Sequence, residues 1–171
     1  MTENGVDTLP KGASIQPAWP QEENELSDLA FRSKASWGYN SEILNDWKEF
    51  LTVKKAKIEQ GWVFVLRVEN KVHGFYVFNP EKQEPHLSFL FIDPGSFRRG
   101  YGKALFKNAV QFAHSKGWSS FLICSDPPAQ GFYERMGAVP MGFFPSPSIQ
   151  EGFLPVLRMW VGFSMSGGAK L

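Results

Sequence analysis

Hydrophobic positions along the chain follow two alternating rhythms. From Glu23 onward Leu26, Leu29, Ala30 and Trp37 recur at three- and four-residue spacing, predicting an amphipathic helix that ends near Gly38. Asn40 or Ser41 can cap a second helix, in which Ile43, Leu44, Trp47, Phe50 and Leu51 form one stripe. The period then shortens. Trp62–Val68 and Val72–Phe78 are rich in β-branched and aromatic residues, and the polar link Glu69-Asn70-Lys71 joins them as a hairpin. A turn-rich loop over Asn79–Pro85 leads to a third strand, His86–Ile92. Helical spacing returns over Gly100–Lys116, with Tyr101, Ala104, Leu105, Ala109, Phe112 and Ala113 inward and Lys103, Lys107, Gln111 and His114 outward. A strand over Ser119–Ser125 completes a β-α-β unit, whose right-handed crossover sets its two strands parallel. A short helix at Ala129–Met136 and strands at Ala138–Phe144 and Leu154–Val161 follow, and Ser14–Ala18 reads as a first strand. Antiparallel strands followed by one parallel crossover indicate an α/β fold with a mixed sheet. Residues 1–13 and 164–171 are small and polar, and read as flexible ends around a single domain at 14–163.

Composition fits that picture and removes some function classes. A chain of 171 residues with 43% apolar and 15% aromatic content can build one packed core. Basic residues number 18 and acidic ones 17, so nothing global draws the protein to nucleic acid or an anionic membrane. Any anion site must be a local cluster. Cys124 is the only cysteine, and its apolar surroundings read as those of a buried structural thiol. Met1–Pro20 lacks the basic and apolar regions of a signal peptide, and no run reaches the roughly 18 apolar residues of a membrane span. The expectation is a cytoplasmic protein.

The chemistry is concentrated in Phe91-Ile92-Asp93-Pro94-Gly95-Ser96-Phe97-Arg98-Arg99-Gly100-Tyr101-Gly102-Lys103. Here a strand ends, a Pro-Gly turn follows, and a helix opens amid two glycines and three cations. The first turn of a helix carries unpaired N–H groups and partial positive charge, so it attracts phosphate. Glycine at 100 and 102 lets a pyrophosphate approach, and Arg98, Arg99 and Lys103 add charge there. A solvent-exposed basic helix start is the plainer alternative. Two nucleotide readings fail on spacing. Gly102-Lys103 is followed by Ala104 rather than Ser or Thr, and a G-x-G-x-x-G would need glycine where Leu105 stands.

Pro94 followed by Gly100-x-Gly102 at a helix start resembles the acyl-CoA motif of the GNAT acyltransferase superfamily. Further on, Asp126-Pro127-Pro128-Ala129-Gln130-Gly131-Phe132-Tyr133-Glu134-Arg135-Met136-Gly137-Ala138 is similar to that superfamily's later motif, a short helix ending in Phe-Tyr-x-x-x-Gly. Order and separation also match, and the resemblance covers roughly residues 14–162. Two positions depart from the pattern. Phe97 stands where Gln or Arg is frequent, leaving Arg98 and Arg99 to make that contact, and Pro128 stands where many members have Asn.

The resemblance implies a GNAT-type fold, with helices on both faces of the mixed sheet and the strand before the phosphate loop splayed from its parallel neighbour. It implies that Leu90, Phe91 and Ile92 hold the pantetheine arm of acetyl-CoA. Arg98, Arg99, Gly100, Tyr101, Gly102, Lys103 and Ala104 would lie at the phosphates, with Ser125, Gln130 and Phe132 further along the cofactor. Tyr133 matches the tyrosine that gives a proton to the departing sulfur; a hydrogen-bonded core tyrosine is the alternative. Glu84 and His86 are the candidate bases, although a strand histidine often merely packs. Ser125 and Asp126 are weaker candidates, since Asp126 can cap the next helix. Lys34, Trp37 and Tyr39, between the first two helices, are candidates to contact the acceptor, or else form an ordinary turn with Trp37 in the core. Ser146–Leu154 would form the opposite wall.

The function implied is acyl-CoA-dependent N-acyltransfer, with acetyl passing to a primary amine of a small molecule by direct attack in a ternary complex. No metal takes part, and exposed aromatics on the last hairpin would suit a homodimer. The alternative on the same fold is an acyl-CoA-binding sensor or interaction module. A hydrolase or nucleotide enzyme is disfavoured by the lack of G-x-S-x-G, metal-spaced His or Cys, and a P-loop.

Overall fold

Local alternation and helical stripes become seven strands and five α-helices in the computed structural model, which describes residues 9–80, 83–146 and 152–162. In chain order these are β1 (Ala13–Pro17), α1 (Glu23–Ala35), α2 (Ser41–Asp46), α3 (Lys55–Glu59), β2 (Val63–Val68) and β3 (Lys71–Asn79). Then come β4 (His86–Ile92), α4 (Tyr101–Ser115), β5 (Ser120–Cys124), α5 (Gln130–Arg135), β6 (Val139–Pro145) and β7 (Phe153–Trp160). All strands join one sheet in the order β1-β2-β3-β4-β5-β7-β6. Every pairing is antiparallel except that of β4 with β5. No helix among the described residues is long and apolar enough to cross a membrane.

Strand alternation gives the sheet two apolar faces, and each carries a core. On one face Leu105, Phe106 and Ala109 of α4 pack with Tyr76, Phe78 and Phe121. On the other, Leu26, Leu29 and Ala30 of α1 pack with Val63, Val65 and Phe75. Helices thus cover both faces, as expected. Gly74 leaves room for β4 and α4 to close on β3. A Cβ there would lie 2.6 Å from Ile92 Cδ1, 2.8 Å from the Phe91 carbonyl oxygen and 3.0 Å from Leu105 Cδ1. Gly74→Ala is therefore expected to cost about 1–3 kcal/mol through overpacking. A lower urea midpoint at unchanged slope would show it.

Three sequence readings change. The stripe after Asn40 ends as a helix at Asp46; Trp47 turns inward while Phe50 is left 78% exposed, and α3 follows unforeseen. Cys124 is exposed rather than buried, because it shares a strand face with Leu122, opposite the one that packs Phe121 and Ile123 into the core. Residues 9–13 form a turn leading into β1. The expected flexible tail at 164–171 and most of the expected flexible N-terminus lie outside the described residues.

Candidate active site

The parallel ladder between β4 and β5 is short. It comprises His86↔Leu122 and Leu87↔Ile123, after which the two strands part. On its other edge β4 skips one residue against β3: Leu87 faces Phe78 and Phe89 faces Val77, so Ser88 bulges. Ser88 thus has no register partner on either neighbouring strand. The opened gap forms a cavity of about 870 Å³, bordered by Leu87–Ile92 on one side and Cys124, Ser125 and Asp126 on the other.

One end of the cavity meets the start of α4. Asp93 donates its N–H to the His73 carbonyl at 2.9 Å, and His73 Nδ1 shares a 2.7 Å hydrogen bond with the buried Ser96 hydroxyl. Burial, and then the charges of Lys71 and Arg99, hold this imidazole below its ordinary pKa. The loop so anchored passes through left-handed backbone at Arg98 (φ +62°) and Gly100 (φ +78°). Left-handed backbone is uncommon for a non-glycine residue such as Arg98. The first ladder bond of α4 runs from Ala104 N–H to Gly100 C=O at 3.0 Å, so the N–H groups of Tyr101 and Gly102 precede the helix ladder. Gly102 is informative because nothing inside the protein demands it. Its φ is not positive, and an added Cβ would meet only ordinary contacts, 3.7 Å to the Phe132 ring and 3.8 Å to Ile92. The space beside Gly102 opens onto the cavity.

The other end is built by α5, the β5 terminus and the segment after α1. Tyr133 packs its ring against Phe106 and Phe132, with centroids 5.5 and 5.1 Å away. Its hydroxyl has no hydrogen-bond partner among the described residues, yet it is not among their sealed polar atoms, so it opens onto the cavity. Burial first, and the charge of Asp126 second, push this hydroxyl well above the usual tyrosine range. Asp126 also lines the cavity. Its carboxylate caps no helix; it pairs with the ammonium of Lys34 and lies 3.5 Å from the Tyr39 hydroxyl. That ammonium sits 4.4 Å from the Trp47 ring centroid and 5.2 Å from that of Tyr39.

Many residues singled out from sequence converge here. Leu90, Phe91, Ile92, Arg98, Gly102, Ser125, Phe132, Tyr133, Lys34 and Trp37 all border the one cavity, as do Phe97 and Pro128. Trp37 is 43% exposed rather than a core residue. Gly100, Tyr101, Lys103 and Ala104 belong to the cap and first turn of α4, and Tyr101 is buried edge-on against His73. Gln130 instead bonds Glu134 along the exposed side of α5, at 2.7 Å. Glu84 and His86 are not brought to this cavity. They line a separate small cleft with Gln83 and Leu122. Arg158 Nη2 holds both Glu84 oxygens at 2.9 and 2.8 Å, while His86 Nδ1 bonds the Glu84 carbonyl at 2.7 Å. The Pro-rich wall proposed over Ser146–Leu154 contributes Ser146 and Leu154, and residues 147–151 lie outside the described residues. Sequence reasoning missed Ser88 altogether.

Comparison with known proteins agrees with this architecture. Residues 19–138 match the family described as acetyltransferase (GNAT) family. The 5-NmdU N-acetyltransferase of Pseudomonas phage PaMx11 is 22% identical over 125 residues, covering 72% of this chain and 84% of that protein. A GCN5-related N-acetyltransferase from Rhodopseudomonas palustris superposes with a TM-score of 0.72 at 15% identity, over 90% of this chain and 99% of its own. The paia N-acetyltransferase from Thermoplasma acidophilum, solved in complex with coenzyme A, gives 0.67 at 16% identity, over 86% and 98%.

Proposed function

Since the chain belongs to the acetyltransferase (GNAT) family, we propose that it transfers acetyl from acetyl-CoA to a primary amine of a small molecule, by direct attack in a ternary complex. The observation that carries this reading is the gap between β4 and β5, closed at one end by an anion-ready helix start and at the other by a tyrosine hydroxyl and a carboxylate. Complexes of similar proteins with coenzyme A support the choice of cofactor. When bound, acetyl-CoA supplies an acetyl group activated as a thioester.

The chain's own residues have four tasks. The turn from Arg98 to Gly102 grips the diphosphate with main-chain N–H groups and the Arg98 charge. The splayed strand from Ser88 to Ile92 offers main-chain groups to the pantetheine amides, and the bulge at Ser88 supplies the N–H for the carbonyl oxygen where charge develops. Tyr133, kept protonated by its surroundings, aims an O–H at the leaving sulfur. Asp126 receives the acceptor's ammonium and takes its proton, a task we assign to it rather than to Glu84 or His86, which line another cleft. The balance is as follows: Asp126 takes one proton from the ammonium and passes it to solvent. An N–C bond forms and a C–S bond breaks, Tyr133 protonates the departing sulfur, and the second proton shed by nitrogen restores Tyr133. β6, exposed along its whole length, with Phe143 on it and Phe153 on β7, supports a homodimer through this hairpin.

Release of free thiol from acetyl-CoA, dependent on an added amine, tests the proposal; tight binding of coenzyme A with no release under any amine would leave a sensor instead. Gly102→Val tests the cradle. The expected result is a roughly 10–100-fold weaker calorimetric affinity for coenzyme A, the scale of losing hydrogen bonds to a charged group. The melting temperature should move little, because a Cβ at this position meets only ordinary contacts and its outer face opens onto the cavity. Unchanged affinity would place the diphosphate elsewhere.

A further inference from the structure

We infer that the acceptor is an arylalkylamine, a primary amine on a short link to an uncharged planar ring, which rests on the reading of this cavity as an acetyl-transfer site. The first argument is a charge census. Among the described residues the charged side chains bordering the cavity are Lys34, Arg98, Asp126 and Arg135. Arg98 precedes α4, at the end where the cofactor's phosphates would lie, and Arg135 lies on α5, which meets α4 through Phe132 and Gly102. Lys34 and Asp126 neutralise each other. Among the described residues Asp126 is the one carboxylate bordering the cavity, so a second ammonium finds no partner there, and burying such a group unpaired is costly.

The second argument is the aromatic mouth. Trp37 after α1, Phe50 after α2 and Phe144 on β6 come from three separate elements. They are 43%, 78% and 60% exposed, yet all border the cavity. Exposed rings that border the cavity are rings a ligand in it can cover. A planar body stacked there gains about 0.5–1.5 kcal/mol per ring pair beyond the area it buries. The third argument is Lys34 itself. An alkylammonium already sits against Asp126 and over Trp47 and Tyr39. The cage accommodates a –CH2–NH3+ group, and the acceptor's ammonium competes with Lys34 for it.

Thiol release is followed with acetyl-CoA and 2-phenylethylamine, n-butylamine, spermidine or lysine. The expected kcat/KM for 2-phenylethylamine exceeds that for n-butylamine and spermidine by about tenfold or more. Trp37→Ala and Phe144→Ala should each bring the aryl-to-alkyl ratio toward one. Spermidine or lysine turned over as well as 2-phenylethylamine would overturn the inference while leaving acetyl transfer intact. If no amine releases thiol, the transfer reading fails and calorimetry of 2-phenylethylamine on coenzyme-A-loaded protein decides this one. Saturable heat that Trp37→Ala abolishes upholds the aryl site, and absence of heat overturns it.

Discussion

Replacing Glu22 with alanine is expected to destabilise the protein by about 3–5 kcal/mol, the range for removing one partner of a buried ion pair. In a chain of this size that lowers the melting temperature by roughly 6–20 °C. Glu22 and Arg67 are 6% and 4% exposed, and their side chains meet at 2.6 and 2.7 Å. The Trp19 N–H donates to the same carboxylate at 2.6 Å, and the Arg67 guanidinium lies 4.1 Å from the Trp19 ring centroid. Without Glu22 the guanidinium stays buried, with an Nε that already lacks a partner. Attraction between the two charges is the smaller part of this effect; the stranded charge is the larger. Glu22→Leu combined with Arg67→Met should therefore recover most of the loss, since an apolar pair of similar size leaves no charge behind. A double variant as unstable as Glu22→Ala would refute that account. The pair also has a functional side. It fastens the start of α1 to β2, and α1 carries Lys34 toward the cavity and Arg32 to Asp93 at 3.0 Å.

What was legible in the sequence was what is local. His86–Ile92 reads as a strand from its own residues, and the glycines and cations before Lys103 mark the turn into α4, where Arg98 and Gly102 border the cavity. Phe132 and Tyr133 sit in one contiguous motif and do border the cavity. What depends on distant partners was hidden. The bulge at Ser88 arises from register against Val77 and Phe78, and HLSFLFI by itself looks regular. Asp126 resembles a helix cap, because Pro127 and Pro128 follow it. Its true partner is Lys34, 92 positions away. The stripe through Leu51 promised a longer α2; the chain turns after Asp46 because Trp47 is drawn over the Lys34 ammonium and against the Tyr39 ring, with centroids 4.9 Å apart. Glu84 drew attention as a carboxylate at a strand entrance, while the arginine that occupies it comes from the last strand. Each miss is a tertiary contact overriding a sound local pattern.

Tyr133→Phe should lower kcat by about 10²–10³-fold while leaving coenzyme A affinity nearly unchanged, the usual scale for losing a positioned proton donor. Stability distinguishes this role from a packing role. The hydroxyl makes no hydrogen bond among the described residues, so removing it breaks nothing in the fold, and the melting temperature should stay within about 2 °C. A tyrosine serving the core would show the reverse, intact turnover with lost stability. The pH dependence follows from the direction of the shift. Burial and Asp126 raise the hydroxyl pKa, which favours the neutral O–H; the group keeps its proton throughout the range in which amines and thiols titrate. The ratio of wild-type to Tyr133→Phe kcat should therefore hold constant from about pH 6 to 9. A ratio that falls across that range would mean that Tyr133 loses its proton to solvent before the chemical step, and the donor role would have to pass to another group.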